Sequence, residues 1–595
     1  MKIPIKAKAD APNQKVLDIK RGQQEALRRL AIDERDPFEG LQIEPEASFY
    51  DEGATREPGD TNWVGYGFDL HPQVTFIASA FLIVFIASTL MMGERADAMF
   101  DNILKWIGVN FGWLYIIVIN TSAVAALYFA FSKYGKIRIG GPDALPEFGD
   151  LSWYAMLLSA GIGIGLMFWS VGEPMYHFTN PSPMFGVEPE SVGAAKAAFG
   201  VTFTHWGFQA WAVYAIIALA LAFFAYNRGL PLTLRSVFYP VLGERIYGFW
   251  GNLVDILSVI ATLFGLATSL GLGVKQVSSG FNYLFGTPTD TWFLVVLIAI
   301  ITGFATLSVV AGLDGGVKRL SEWNLYMAGL FLLFVLIVGP TAYILGTFVQ
   351  STGYYFQIFP EITLWGETFS QTIDETTWSL SWTIFYWGWW LSWSPFVGMF
   401  IARISKGRTI RQFILGVMIL PTLVTFFWMS AFGGTAMYLQ TTGVRDIAAA
   451  VNADVSTAMF ELLAALPFGP ISSFIAVMLV IIFFVTSSDS GSLVVDHLTS
   501  GGKLDSPVPQ RVFWATMEGL VAAVLLIGGG LGALQTAAIS SGLPLAIIFL
   551  IMIYNMKKAF DEELYHLEIV EAKQILETAA VADDDISAFA AIPAD

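Results

Sequence analysis

Apolar runs of roughly twenty residues recur along this chain, near 73–92, 110–132, 152–177, 193–226, 252–274, 291–313, 323–348, 380–402, 413–439, 467–495, 512–530 and 534–556. A helix of about 20 residues rises some 30 Å, the depth of a bilayer's hydrocarbon core. That core offers no water to an unpaired amide, so each run must satisfy its own backbone as a helix. The expected fold is therefore an all-α polytopic membrane protein with about twelve spans. Composition agrees, since only 14% of residues are charged against about 25% in soluble domains. The run at 193–226 is longer than a span needs and must tilt or project. The absence of cysteine excludes disulfides, thiolate metal sites and cysteine nucleophiles, and five histidines leave little material for a His-based metal cluster.

Lysine and arginine set the orientation. Loops after even-numbered runs carry Lys133, Lys136 and Arg138; Arg228, Arg235 and Arg245; Lys318 and Arg319; Arg403, Lys406, Arg408 and Arg411; Lys503 and Arg511; and Lys557 and Lys558. The other loops and their flanks hold only Arg95, Lys105, Lys196, Lys275 and Arg445, while Glu361, Glu367, Asp374 and Glu375 crowd the loop before the eighth run. Both termini are expected on the cytoplasmic side. The first 60 residues have no apolar segment behind a basic start, so no cleavable signal is expected. The net charge of −17 resides largely in the tails and outward loops, and no nucleic-acid partner is expected.

Four stretches carry more chemistry than packing requires. In the eighth run, WTIFYWGWWLSWSPFVGMFIARISKGRTIR, residues Tyr386, Trp389, Trp390 and Trp393 fall on one helical face. In the third, SAGIGIGLMFWSVGEP, closely spaced glycines either let helices pack tightly or interrupt a helix so that free amides meet an anion and carbonyls a cation. The fourth holds THWGFQAWAVY. Trp211 and Tyr214 lie side by side there, but Trp206 to Trp211 is a step of about 500°, too far round for one ideal stripe. Aromatics often form an interface belt, yet these sit mid-run. The tenth holds FFVTSSDSGS, whose hydroxyls and Asp489 serve either an ion path or helix–helix hydrogen bonds. His205 reads as a packed, hydrogen-bonded histidine; Glu173, Asp255 and Glu518 receive no role. After Lys558 the chain is acidic, and EELYHLEIVEAKQILE begins a helix that is expected to give way to disorder around Asp583, Asp584 and Asp585.

These stretches, with ATLFGLATSLGLG in the fifth run, closely resemble the signature of the betaine/carnitine/choline transporter family over about residues 65–560. The resemblance implies two inverted five-helix repeats in the fold shared with sodium/amino-acid symporters. Residues 1–65 would then be a cytoplasmic tail, 66–150 two extra N-terminal spans, 151–350 the first repeat and 351–379 a periplasmic connection. The second repeat would occupy 380–558 and an acidic cytoplasmic tail 559–595. It further implies a homotrimer amid membrane lipid, in the bacterial cytoplasmic (inner) membrane.

Carried onto this chain, the family's aromatic box for a quaternary ammonium is Trp206, Trp211, Tyr214 and Trp390. A trimethylammonium group has no N–H to donate, whereas a desolvated aromatic face attracts it by about 1–2 kcal/mol. The backbone of Gly161, Ile162 and Gly163 would face a substrate carboxylate, and Trp389, Trp393 and Phe396 would line the cytoplasmic exit. Sodium is the implied coupling ion, held by the backbone of Ser159, Ile162 and Phe483 and the hydroxyls of Thr486 and Ser487; no other cofactor is expected. A second sodium site would use Thr262, Tyr214 and Phe396 with a hydroxyl one turn beyond Thr262, where this chain has Leu266.

Proton-coupled choline carriers of the family tend to place Asp where Gly165 stands here, so a zwitterion is favoured. The expected function is sodium-coupled import of a betaine-type osmolyte, glycine betaine first, serving osmoprotection by alternating access. Alternatives are a proton-coupled or sodium-independent carrier of choline, carnitine or dimethylsulfoniopropionate, or a ligand-gated channel or sensor. The spans offer no paired acids or metal-ligand histidines, so an enzyme is not expected. The acidic tail also differs from basic family tails that sense osmotic stress through anionic lipid.

Overall fold

The structure, a computed structural model, describes residues 57–161, 163–311, 318–369 and 377–590. Ile162, the Ser159 side chain and most of the N-terminal tail lie outside the described residues. Residues Arg56–Met556 form one compact unit, and the chain from Lys557 onward belongs to a second. In the second unit the helix runs on to Ala590. The acidic run 583–585 is thus helical rather than disordered, in a stretch whose alanines favour helix.

The first unit is built almost entirely of helices. A short hairpin, β1 (Trp63–Gly65) and β2 (Phe68–Leu70), leads into α1 (Pro72–Met92) and α2 (Arg95–Phe131). There follow α3 (Asp150–Gly161), α4 (Ile164–Thr179), α5 (Val192–Trp206), α6 (Phe208–Tyr226), α7 (Phe249–Phe285) and α8 (Thr291–Ala311). Next come α9 (Lys318–Val338), α10 (Thr341–Ile362), α11 (Phe385–Arg403), α12 (Ile410–Thr441), α13 (Gly469–Thr499) and α14 (Val508–Ala590). Helix α7 packs along α13, α11 along α6, and α4 lies against α5, α7 and α12. These contacts bury α4, α6 and α11 on nearly all sides.

Among the described residues eight helices are long and apolar enough to cross a membrane, or nine if one bent pair counts as a single span. The chain is a multi-pass membrane protein. The difference from about twelve apolar runs has local causes. The third run is broken into α3 and α4, each too short alone. The seventh is cut at Pro340, which cannot continue the hydrogen-bond ladder, and α9 and α10 meet at 110°. The eleventh and twelfth runs join in α14 across Gly529 and Gly530, the latter left-handed at φ 59°. The eighth begins with a π-helical turn at Leu380–Ile384, and its Trp, Ser and Pro content makes it less apolar than a lipid-facing rod.

Polar clasps hold the ends. Arg235 Nε donates to Asp255 Oδ2 at 2.5 Å, so the buried aspartate on α7 is an ion-pair partner. Lys503 pairs with Asp69, which also accepts from Asn62 at 2.8 Å. Burial alone would raise the Asp69 pKa, but the bonds from Lys503 and Asn62 hold it below the ordinary carboxylate value. His71 caps α1, its Nδ1 accepting from Val74 N–H at 3.4 Å. Burial, and then the charge of Arg235, push its pKa down to about 4.

The folded chain therefore refuses a proton that the unfolded chain takes up below about pH 6.5. Stability carried by neutral His71 is complete above that pH and declines as pH falls toward 4. His71→Asn keeps a capping oxygen and removes the titration. Between pH 7 and pH 5 the wild type should lose about 1–2 °C more in Tm than the variant; equal losses would place the titration elsewhere.

Candidate functional site

Helices α4, α5, α6, α7, α9, α11, α12 and α13 enclose a cavity of about 150 Å³. Its wall holds Trp206, Trp211, Tyr214 and Trp390, the four rings expected to form a box. Trp206 meets Trp390 edge-on at 5.0 Å, Tyr214 meets Trp390 at 6.1 Å, and Trp211 meets Tyr214 at 5.7 Å. Trp389 stacks on Trp390 at 5.0 Å, while Trp393 and Phe396 adjoin each other at 5.2 Å, and all three line the same cavity.

A break in the fourth run brings Trp206 and Trp211 together. The helix stops at Trp206 and restarts at Phe208, with Gly207 between them at φ −97°, ψ −144°. A Cβ at Gly207 would stand 2.4 Å from the Phe203 carbonyl oxygen, so the turn requires glycine. The 500° step of an ideal helix therefore does not apply.

The third run breaks as well, and α4 begins at Ile164 after Gly163 in extended backbone. Gly163, Ile164 and Gly165 line the cavity, so the amino end of α4, whose first N–H groups have no partner within the helix, borders the same space as the rings. A Cβ on Gly165 would lie 2.8 Å from Trp206 and 2.9 Å from Trp389. Glycine there is what lets both indoles close over the helix.

Behind the rings lies a cluster that the sequence did not flag. Glu173, on α4 and fully buried, accepts from Trp206 Nε1 at 2.7 Å and from the Tyr386 hydroxyl at 2.5 Å through Oε2. Its Oε1 lies 2.6 Å from His205 Nδ1 and 3.5 Å from His177 Nε2. His205 Nε2 reaches Thr383 Oγ1 at 3.0 Å, and the His205 carbonyl accepts from Trp390 Nε1 at 2.9 Å. Tyr386 lies beside the tryptophans as expected, 6.0 Å from Trp389 and 5.8 Å from Trp390, but its hydroxyl turns to Glu173 and it does not line the cavity. The three ionisable side chains offer ligand atoms within 4.8 Å of one another, yet hydrogen bonds already engage both carboxylate oxygens. His205 is packed and hydrogen-bonded, as its setting in the sequence suggested.

A family model described as betaine/carnitine/choline family transporter matches residues 73–565. Glycine betaine transporter 1 of Vibrio parahaemolyticus is 48% identical over 512 residues, covering 85% of this chain and 96% of that protein. A glycine betaine/proline/choline transporter of the same organism is 44% identical over 513 residues, 84% of this chain and 91% of that protein. A glycine betaine transporter of Acinetobacter baylyi is 44% identical over 505 residues, 84% and 75% respectively. The chain belongs to the betaine/carnitine/choline transporter family. It is a transporter.

The ion-site positions expected in such a transporter divide unevenly. Phe483, Thr486 and Ser487 line the cavity with Gly163 and Ile164. Thr486 Oγ1 bonds back to the Ile482 carbonyl at 2.9 Å. Ile162 lies outside the described residues, as does the Ser159 side chain. Thr262 and Tyr214 each have a buried hydroxyl with no hydrogen-bond partner among the described residues, but Thr262 is not part of the cavity wall. Leu266 is fully buried and packs against Gly491 of α13, whose Cβ would meet it at 2.4 Å. An alkyl side chain thus stands where the family's second site has a hydroxyl. Asp489 accepts from Ser308 at 3.4 Å, and Glu518 from Ser488 at 3.2 Å. Both carboxylates belong to the α8–α13–α14 interior rather than to the cavity.

Gly165→Ala should push Trp206 and Trp389 apart. Loss of one well-placed ring face, about 1–2 kcal/mol, predicts about tenfold weaker tetramethylammonium binding by tryptophan fluorescence. Unchanged affinity would mean that the two indoles do not need this approach.

Proposed function

We propose that the protein imports a betaine-type zwitterion, glycine betaine foremost, by sodium-coupled alternating access. One observation carries this reading: four aromatic rings and the amino end of α4 border one small buried cavity. The rings hold a methylated cation that has no hydrogen bond to offer, each face contributing about 1–2 kcal/mol. The free amides at the start of α4, with the positive end of its dipole, suit the carboxylate of the same molecule. The relatives' names point the same way, toward glycine betaine, proline and choline.

Sodium binds where the α3–α4 break approaches α13. Phe483 contributes a carbonyl, Thr486 and Ser487 hydroxyls, and the backbone of Ser159 and Ile162 completes an oxygen-only shell. Because sodium closes the gap between α13 and the broken helix, its gradient can drive the solute. The second site, with Leu266 in place of a hydroxyl, lacks one ligand, and a single sodium per cycle follows. Trp389, Trp393 and Phe396 line the route to the cytoplasm. We place the transporter in the inner membrane with both termini inside, its two five-helix repeats inverted, as a homotrimer.

The deciding assay is uptake of labelled glycine betaine into proteoliposomes with and without an inward sodium gradient. Saturable uptake that collapses without sodium is expected. Gradient-independent exchange would instead indicate a sodium-independent antiporter, and acid-driven choline uptake a proton-coupled carrier. In the same assay Trp390→Leu should raise KM about tenfold or more. An unaltered KM would remove the box from the mechanism.

A further inference from the structure

We propose that Glu173, which does not line the cavity, is a positioning residue that sets how strongly the aromatic box holds a positively charged methylated headgroup. The inference rests on the reading that the box binds a quaternary ammonium. Its ground is the geometry of one carboxylate.

Glu173 is fully buried within α4. A buried carboxylate at membrane depth is costly unless donors surround it. Here two of the donors come from α5 and α11, the helices that carry Trp206 and Trp390 of the box. Trp206, the last residue of α5, gives Oε2 its indole N–H at 2.7 Å, and Tyr386 of α11 gives the same oxygen its hydroxyl at 2.5 Å. An indole nitrogen can only donate, so Oε2 must present lone pairs rather than a proton. His205 closes the other oxygen at 2.6 Å, and the carbonyl of that histidine receives the indole N–H of Trp390. Trp206 and Trp390, at 74° to each other, therefore both hang on one polar cluster.

Two effects on the substrate follow. The first is orientation: with its N–H tied to α4, Trp206 is kept edge-on to Trp390 instead of turning into the space the headgroup needs. The second is electrostatic. An indole that donates to an anion is polarised toward it, and its ring face becomes more attractive to a cation in a low-dielectric site. Glu173 thus places a negative charge one ring behind the box, although Gly165 leaves the glycine stretch itself without one. The site is accordingly tuned for a cationic headgroup over an uncharged group of the same shape.

The test uses the full-length transporter in proteoliposomes. Tetramethylammonium binding is read by tryptophan fluorescence, glycine betaine uptake gives KM and kcat, and dimethylbutanol, the uncharged carbon isostere of choline, is the control competitor. Glu173→Gln should weaken tetramethylammonium binding and raise KM by about tenfold. Turnover should stay within about threefold, and competition by the isostere should change far less than cation binding. On a Trp206→Phe background, which has no N–H to donate, Glu173→Gln should add little. Unchanged cation binding, equal losses for cation and isostere, or fully additive losses would each overturn the proposal. Should Glu173→Gln not fold, Tyr386→Phe carries the test: it removes one donor to Oε2 from outside the cavity, and unchanged cation affinity would be equally fatal. A wild type that binds no tetramethylammonium would refute the underlying substrate reading; a wild type that binds it beside indifferent variants would refute only the role of Glu173.

Discussion

Within a bilayer every backbone amide and carbonyl must find a partner, so an interrupted helix can exist there only where protein surrounds it or where it borders a cavity. This chain interrupts three apolar runs, between Gly161 and Ile164, at Gly207 and at Pro340. The first opens onto the cavity at Gly163 and Ile164, and Trp206, next to the second, lines the same space. The surrounding architecture follows from that constraint. Helices α4, α6 and α11 are wrapped by others, whereas α1, α2, α8, α9 and α10 expose apolar residues such as Phe76, Trp113, Phe304, Leu330 and Phe356.

The breaks also create the site. A continuous helix over the third run would turn its amides inward to its own carbonyls and leave nothing for a solute. A continuous helix over the fourth would place Trp206 and Trp211 on different sides. Interrupting both exposes a helix amino end on one wall and gathers indoles on another. One face thus suits a carboxylate and the other a group that hydrogen bonds cannot hold. The polar cluster around Glu173 joins the two walls, linking the broken helix to the aromatic ones.

Much of this architecture was legible from residue order. The apolar runs, the glycine interruption in the third and the aromatic content of the fourth and eighth all follow from local composition. The lining positions Trp206, Trp211, Tyr214, Trp390, Trp389, Trp393 and Phe396 came from motif resemblance, and all seven border the cavity. Other elements were not legible. The run at 323–348 looks continuous in hydropathy, yet Gly339 and Pro340 turn the chain through a right angle or more. Gly207 gave no more signal than any other glycine, because the need for it arises from Phe203 and Phe426. Tyr386 kept its place beside Trp389 and Trp390, but nothing along the chain announced that its hydroxyl would reach a carboxylate on another helix.

Alone, the order of residues determined that this chain crosses a membrane many times and that aromatic rings crowd its eighth run. Hydropathy and helical period are local quantities, and neighbours suffice to specify them. Tertiary structure alone decided the company that Glu173 keeps, since its donors Trp206 and Tyr386 lie 33 and 213 positions away. A buried carboxylate looks the same in sequence whether it is one half of an ion pair, as Asp255 is, or the hub of hydrogen bonds from several helices, as Glu173 is. Only the packing of three separate helices assigns its partners, because hydrogen bonds are satisfied by nearness in space and not along the chain.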